Sequence, residues 1–454
     1  MRQLKMGTSW VRGVVGDALT PELAVNLACA MGTWCESEPV VVGRDTRRSS
    51  VMLRSAVLSG LISAGCEAID LGVAPTPLVS FAVREMGAAG GIVVTGSHND
   101  ARWNALKFLG PDGALLNAVK SEELLDIYHA SAYERAPWDR LRRVAMAPGI
   151  EERYLEHLLA CLDVEGIGAQ RFRAAVDYCN GASPATARPF FEALGCKIVA
   201  LNADPTGEFA HSPAPTATNM RQLATLIGSV DVDFGVALNV DGDRVGFVTQ
   251  AGEPLSEEHT LPLAALSRLQ RRPGLVVTNL STSRMVDAVA RIHGQQVLRA
   301  AVGEGYVMDR GLTENAVLAG EGSGGVGMLP ATMTFDGLLT VGLVMEQMAR
   351  EQKPLAELAA RLPAHTMRKG ELACAPDVVY RALEGYRKRF AGDLLDCSDG
   401  VRVEWPDAWL HARASNTEPL LRIIVEADRP ERASELFDES MRYARRVAGG
   451  YGGN

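Results

Sequence analysis

Val40-Val41-Val42, with Ser49 and Ser50 a short way on and Gly65 beyond them, is the stretch that decides the fold. Three β-branched residues in a row read as a strand. Ser49 or Ser50 then stands as a candidate cap for a helix whose apolar residues include Leu53, Val57, Leu58, Leu61 and Ile62. Gly65 stops that helix, and residues 67–71 read as the next strand. Gly91-Ile92-Val93-Val94-Thr95 reads as another. Strand alternating with helix in this way implies parallel or mixed sheets covered by helices.

Working outward, one joint recurs. A helix ends at Gly and feeds an apolar run at Ser63-Ala64-Gly65-Cys66, at Ala193-Leu194-Gly195-Cys196 and at Ile292-His293-Gly294-Gln295. Three copies fit three related α/β domains, although the same joint is common in any α/β protein. The last part reads differently, with strands over 401–405, 409–412 and 420–426 and a helix over 431–447. Leu421, Ile423 and Val425 alternate with Arg422, Ile424 and Glu426, the period of a half-buried strand. That part is expected to be α+β. Proline and turn clusters near 136–149, 250–254 and 361–363 divide the chain into expected domains 1–148, 149–250, 251–365 and 366–454. A chain of 454 residues needs several domains, since single cores stop growing at roughly 250–300 residues.

Composition excludes some functions. Hydrophobic residues at 47% and charged residues at 22% are those of a soluble globular protein. A net charge of −9 argues against a nucleic-acid binder, which needs a positive footprint, while leaving room for a local cationic pocket. No stretch approaches the roughly 18 apolar residues of a membrane span, and the N-terminus lacks an apolar signal core. The eight cysteines show no CxxC spacing, so neither a zinc nor a thioredoxin-type site is indicated. Free thiols in a reducing cytoplasm are expected.

Four constellations carry chemistry. In Val94-Thr95-Gly96-Ser97-His98-Asn99-Asp100 a strand ends at a turn that displays a hydroxyl. A hydrolase elbow would place glycine two residues either side of Ser97, where Thr95 and Asn99 stand. Asn239-Val240-Asp241-Gly242-Asp243-Arg244 follows the apolar run 234–238. It spaces oxygen donors around a tight turn, as a hard cation such as Mg²⁺ requires. An EF-hand is excluded, because the sixth position is Arg244 rather than Gly and the twelfth is Gln250 rather than Glu. A plain solvated turn is the alternative. Gly320-Glu321-Gly322-Ser323-Gly324-Gly325 matches a dinucleotide pattern in form, but Val326-Gly327-Met328-Leu329-Pro330 is a poor helix start. The remaining reading is a loop that offers Glu321 and Ser323 to a polyol. Arg413-Ala414-Ser415-Asn416-Thr417-Glu418-Pro419 places an arginine fork beside three polar side chains in a turn, which suits a phosphate.

Taken with Gly7-Thr8-Ser9-Trp10-Val11-Arg12-Gly13 and Gly43-Arg44-Asp45-Thr46-Arg47, these motifs in this order resemble the α-D-phosphohexomutase family. The resemblance runs over almost the whole chain. It implies four domains around a central cleft, three of them related α/β domains with mixed sheets and the last an α+β domain that clamps phosphate. Ser97 would be the phosphoserine. Asn239, Asp241 and Asp243 would hold one Mg²⁺ together with the phosphate on Ser97. Glu321 and Ser323 would orient sugar hydroxyls, and Arg413, Ser415, Asn416 and Thr417 would hold the non-reacting phosphate. Arg12, His98, Lys107 and Arg244 match positions that line the family's catalytic centre, with Lys107 or His98 as the base.

The implied activity interconverts the 6-phosphate and 1-phosphate of a hexose or hexosamine, with a hexose bisphosphate as intermediate and activator. Val73-Ala74-Pro75-Thr76-Pro77 and Asn180-Gly181-Ala182 look most like the archaeal and bacterial phosphoglucosamine mutase and phosphomannomutase branch, and phosphoglucosamine mutase is slightly preferred over phosphomannomutase and phosphoglucomutase. The partner would be a small sugar phosphate, and the chain a cytoplasmic monomer or homodimer. Four positions depart from the family pattern: Asn239 for Asp, Asp100 for Pro, Ala105 for Gly, and Gly305 for a basic residue. Asn239 removes a negative charge, so weaker metal binding is expected. Two other readings stand beside the mutase: a sugar-phosphate-binding homologue without catalysis, and a phosphatase in which water intercepts phosphorylated Ser97.

Overall fold

The computed structural model describes residues 4–415 and 419–449. Four sheets divide the chain. The first contains β1 (Leu4–Met6), β2 (Trp10–Val14), β3 (Val40–Arg44), β4 (Ala68–Val73), β5 (Gly90–Val94), β6 (Trp103–Leu109) and β7 (Val144–Ala145), in the order β1-β2-β6-β5-β3-β4-β7. The second contains β8 (Arg173–Asp177), β9 (Lys197–Leu201), β10 (Phe234–Leu238) and β11 (Val245–Thr249), in the order β11-β10-β8-β9. The third contains β12 (Val276–Asn279), β13 (Val297–Ala300), β14 (Leu318–Gly320) and β15 (Val326–Gly327), in the order β13-β12-β14-β15.

One topology is used three times. In each of these sheets a first strand (β3, β8, β12) pairs in parallel with the second (β4, β9, β13) on one side and the third (β5, β10, β14) on the other. A fourth strand (β6, β11, β15) returns antiparallel to the third. The recurrent helix–Gly–strand joint is the connection from first to second strand. Gly65, Gly195 and Gly294 all take positive φ there, the conformation in which glycine ends a helix without steric cost.

The helix after β3 spans Arg48–Ser63, and its cap differs from expectation. Arg47 holds the N-cap position and makes no side-chain capping bond, while the Ser50 hydroxyl donates to Asp45. The buried aspartate takes the hydroxyl that the sequence offered to the helix end.

The three α/β sheets share one apolar core running from Val41 to Leu362, crossed by the almost wholly buried helix Gly337–Glu351. Close backbone approach sets some joints. A Cβ on Gly181 would sit 2.5 Å from the Val240 carbonyl oxygen, and the Ala182 N–H donates to that same oxygen at 2.8 Å. Gly181→Ala is expected to destabilise the protein by about 1–3 kcal/mol in denaturant unfolding, because backbone rather than a side-chain tip must move.

The fourth sheet is antiparallel: β16 (Thr366–Ala373), β17 (Leu394–Asp396), β18 (Val401–Glu404), β19 (Ala408–Ala414) and β20 (Leu420–Ala427), in the order β16-β20-β19-β18-β17. The helices Pro376–Arg389 and Pro430–Gly449 complete its separate core. It docks on the third domain through Arg284, whose guanidinium pairs with Glu404 and donates to backbone carbonyls at 406 and 408. No helix among the described residues is long and apolar enough to cross a membrane.

His411 sits in the same joint. The Asp399 carbonyl, 2.6 Å from Nε2, can only accept, so Nε2 carries the proton and Nδ1 accepts from the Ser281 hydroxyl at 2.8 Å. Burial, with Arg413 and Arg402 close by, pushes the imidazole pKa from 6.5 down to about 3. Below pH 6.5 the unfolded chain therefore binds a proton that the folded chain refuses. The stability this group contributes is full above that pH and is lost as pH falls toward 3, at up to about 1.4 kcal/mol per pH unit. His411→Gln is expected to flatten the stability slope between pH 6.5 and 5 in urea unfolding. A slope equal to the parent's would contradict this placement.

Candidate functional site

The repeated topology places the site. The link between third and fourth strand is one and the same connection in each α/β domain. It carries Ser97 between β5 and β6, Asn239–Asp243 between β10 and β11, and Glu321–Ser323 between β14 and β15. The second and third of these loops touch, Val245 N–H donating to the Gly324 carbonyl at 3.0 Å. The first and second meet where Asn239 Nδ2 lies 3.4 Å from Ser97 Oγ, and Thr76, at the start of the helix after β4, donates its N–H to the Asp241 carbonyl at 2.9 Å.

Ser97 is buried and takes φ 48°, the left-handed region. That geometry costs a non-glycine residue roughly 1–2 kcal/mol and needs surrounding bonds to hold it. A hub supplies them. Thr95 Oγ1 accepts the Ser97 N–H at 2.9 Å and donates to Asp45 at 2.8 Å. Arg47, fully buried, pairs with Asp45 and donates to the carbonyls of Ser97, at 2.9 Å, and Asn99. Arg12 donates to Asn99 Oδ1 at 2.7 Å.

Beside Ser97 lie Asn239, Asp241 and Asp243, all buried. Lys107 Nζ is 2.9 Å from Asp241 Oδ2 and 2.7 Å from Asp243 Oδ2. Asn239 Nδ2 is 2.9 Å from Asp241 Oδ1, 2.6 Å from Asp243 Oδ1 and 3.4 Å from Ser97 Oγ. Burial alone would raise the Asp241 carboxyl, but the Lys107 ammonium and the Thr76 hydroxyl reverse this and hold it below its ordinary value. Burial likewise opposes charge on Lys107, and the two aspartates outweigh it and hold the ammonium above its ordinary pKa. The donors suit a divalent cation. Two carboxylate oxygens converge on one point beside the Ser97 hydroxyl, and oxygen donors of this kind are what a hard cation takes. The carboxamide nitrogen of Asn239 marks that point.

His98 is pushed well below its ordinary pKa by burial and by Arg244, Arg12 and Lys107, and its Nδ1 has no partner among the described residues. Arg12, also buried and beside Arg244, falls to about 10.

A cavity of about 650 Å³ opens over these groups. Its lining includes Ser97, His98, Lys107, Asp243, Arg12 and Arg244, and from the other domains Glu321, Ser323 and Arg413. Asn239 and Asp241 lie beneath the lining. Glu321 accepts from the Gly303 N–H and from Asn279, each at 2.7 Å, and from Ser323 Oγ at 3.3 Å. Arg413 is buried, and its Nε has no partner among the described residues. Ser415 follows β19, while Asn416 and Thr417 lie outside the described residues. β15, not a helix, follows the glycine-rich loop, as its sequence implied.

Several cavity residues carried no role in the sequence reading. Lys369 of β16 pairs with Glu257 and Glu258 of the third domain, both at 2.9 Å. Arg422 lines the cavity beside Arg413 and pairs with Glu371 at 3.1 Å. The alternation along β20 had marked Arg422 only as facing away from the apolar side. Glu304 lies in the wall with its pKa raised by burial to about 7. Of the departures from the family pattern, Ala105 is buried opposite Arg12 across the β2–β6 pair, Asp100 pairs with Arg102 at an exposed turn, and Gly305 lines the cavity beside Ser9.

A cleft whose walls mix six basic with six acidic side chains, ringed by the same inter-strand connection of three domains and closed by a fourth that brings Arg413 and Arg422, has the form of an enzyme site set between domains. Family models match all four domains. Phosphoglucomutase/phosphomannomutase alpha/beta/alpha domains I, II and III match residues 3–135, 152–252 and 256–365, and the C-terminal domain matches 347–442. The chain is 35% identical to a phosphoglucomutase/phosphomannomutase of Thermococcus kodakarensis over 95% of its length and 96% of the relative's. It is 36% identical to a probable phosphoglucosamine mutase of Methanopyrus kandleri, over 97% of each chain. A phosphoglucomutase/phosphomannomutase family protein of Burkholderia thailandensis superposes with a TM-score of 0.84 at 29% identity, over 98% of each chain. The chain belongs to the phosphoglucomutase/phosphomannomutase family, the α-D-phosphohexomutases, and is an enzyme of the isomerase class that moves a phosphoryl group on a hexose.

Proposed function

We propose that the enzyme interconverts hexosamine 6-phosphate and 1-phosphate through a phosphoserine at Ser97 and a sugar bisphosphate, with glucosamine phosphate preferred over mannose and glucose phosphates. The observation that carries the proposal is the meeting of Ser97 Oγ, the Asn239–Asp243 loop and Lys107 at the floor of a cavity also lined by Arg413 and Arg422. Relatives named for phosphoglucosamine at 33–36% identity support the substrate order.

Phosphoryl transfer asks a protein for in-line positioning and charge neutralisation. Arg413 and Arg422, with Ser415, Asn416 and Thr417, hold the substrate's non-reacting phosphate. Glu321 and Ser323 orient the ring through its hydroxyls. The substrate hydroxyl then faces the phosphate on Ser97. As the new P–O bond forms, the bond to Ser97 Oγ breaks and the hydroxyl gives up its proton. Lys107 is held charged between two aspartates, so it is the poorer acceptor. His98, neutral and with Nδ1 unbonded among the described residues, takes that proton and passes it to the leaving Ser97 oxygen, which ends as a hydroxyl. The bisphosphate turns over in the cleft, and its other phosphoryl group returns to Ser97 Oγ as its bond to the sugar oxygen breaks, the serine proton passing to that freed oxygen through His98 in turn. Arg12, Lys107 and Arg244 offset charge on the transferring group. Asp241 and Asp243, with the Ser97 phosphate and Asn239, would hold one Mg²⁺, which when bound supplies further neutralisation of that charge.

With the protein phosphorylated by a hexose bisphosphate, coupled assays should rank glucosamine phosphate above mannose and glucose phosphates. Isomerisation of none of the three would overturn the reading, and a different order would overturn the substrate preference.

A further inference from the structure

Asn239 does more in this structure than stand where a metal ligand would. Its carboxamide carries two hydrogens on Nδ2, and both are directed at carboxylates, toward Asp241 Oδ1 at 2.9 Å and Asp243 Oδ1 at 2.6 Å. Its oxygen accepts the backbone N–H of Arg244 at 3.0 Å. These contacts fix the orientation of the group. Turning the amide over would set its oxygen against two carboxylate oxygens and its NH₂ against a backbone N–H, acceptor on acceptor and donor on donor. The remaining oxygens of the pair, Asp241 Oδ2 and Asp243 Oδ2, both receive Lys107 Nζ, and Asp241 Oδ2 also accepts from Thr76. Every carboxylate oxygen of the two aspartates therefore has a donor from the protein itself. The groups are wholly buried, where unpaired carboxylates would be costly.

We propose that Asn239 and Lys107 together act as a built-in substitute for the cation in the unphosphorylated enzyme. The aspartate pair is neutralised and held in position without metal. A divalent ion is admitted only when the carboxamide turns over and gives up its bond to Arg244. The inference rests on reading Asp241 and Asp243 as the metal residues of the site. It goes beyond that reading by making this chain's metal demand conditional, where an aspartate at 239 would leave a third carboxylate in the cluster and require the ion.

The test is Mn²⁺ titration of the full-length, unphosphorylated protein, followed by electron paramagnetic resonance, for the parent and for Asn239→Asp. Asn239→Asp is expected to bind Mn²⁺ at least about 10-fold more tightly, since charge count at an oxygen site sets affinity. Equal affinities would overturn the proposal. A second measurement needs only the parent. Its Tm is expected to be the same in EDTA and in millimolar Mn²⁺, because an ion that is not bound contributes no linkage stabilisation. A clear rise in the parent's Tm with Mn²⁺ would overturn the proposal even if the variant failed to fold. Neither measurement uses a sugar, so failure here leaves the isomerase reading intact, and failure of the sugar assays leaves this one intact.

Discussion

Ser97→Ala is expected to lower isomerase turnover by at least about 10⁴-fold, while leaving the fold unchanged. Loss of a covalent carrier removes the reaction path rather than one of several contributions to it, and nucleophile deletions in well-studied enzymes cost this much or more. The effect on stability should be small, within about 0.5 kcal/mol. The Ser97 hydroxyl makes one long contact, 3.4 Å from Asn239 Nδ2, and the left-handed backbone is held by Thr95 and Arg47 through main-chain atoms that alanine keeps. Steady-state assays and urea unfolding on the same preparation check both halves. Turnover within tenfold of the parent would remove Ser97 from the path.

Arg47→Met is expected to have the largest effect on stability, a loss of about 3–5 kcal/mol in urea unfolding. Arg47 is fully buried, and it is the ionic partner of Asp45, itself fully buried. Methionine fills similar space but leaves that carboxylate with only neutral donors: the hydroxyls of Ser50 and Thr95 and the backbone N–H at 47. It also frees the carbonyls of Ser97 and Asn99 from the guanidinium that fixes the turn, so turnover should fall as well. Arg47→Lys should rescue little, because one ammonium nitrogen cannot span the positions that two guanidinium nitrogens reach, one at Asp45 and the other at the two carbonyls. A loss below 1 kcal/mol for Arg47→Met would mean the hub does not hold the loop.

The repeat and the hub show where sequence is readable. Val40-Val41-Val42 and the glycines at 65, 195 and 294 mark strands and helix ends because those signals are local. The order in which strands lie side by side is not local. The shared pattern, with the first strand central and the fourth reversed, emerges only from pairing between residues far apart. Ser97, Asp241 and Glu321 were readable as loop residues with suggestive neighbours. That they occupy the same connection in three domains was not, because each loop differs in length and composition.

Asp45 and Arg47 sit in Gly43-Arg44-Asp45-Thr46-Arg47, which entered the sequence reading only as one motif of a family pattern, since burial of an ion pair leaves no trace in composition. Ser50 looked like a helix cap for the same reason: its use by Asp45 is a tertiary contact. Arg422 was placed by strand alternation on a polar face, and Lys369 lay outside every strand read from the sequence. Alternation says which residues share a face, not that another domain will cover it and turn it into a cavity wall.

The central claim is that Ser97 carries the phosphoryl group. Intact mass spectrometry of the full chain after incubation with a hexose bisphosphate, followed by peptide mapping, tests it most directly. The mass of one phosphoryl group should be gained, on the peptide containing Ser97, with no gain in Ser97→Ala. A phosphoryl group found elsewhere, or an unchanged mass in a protein that nonetheless isomerises sugar phosphates, would contradict the claim.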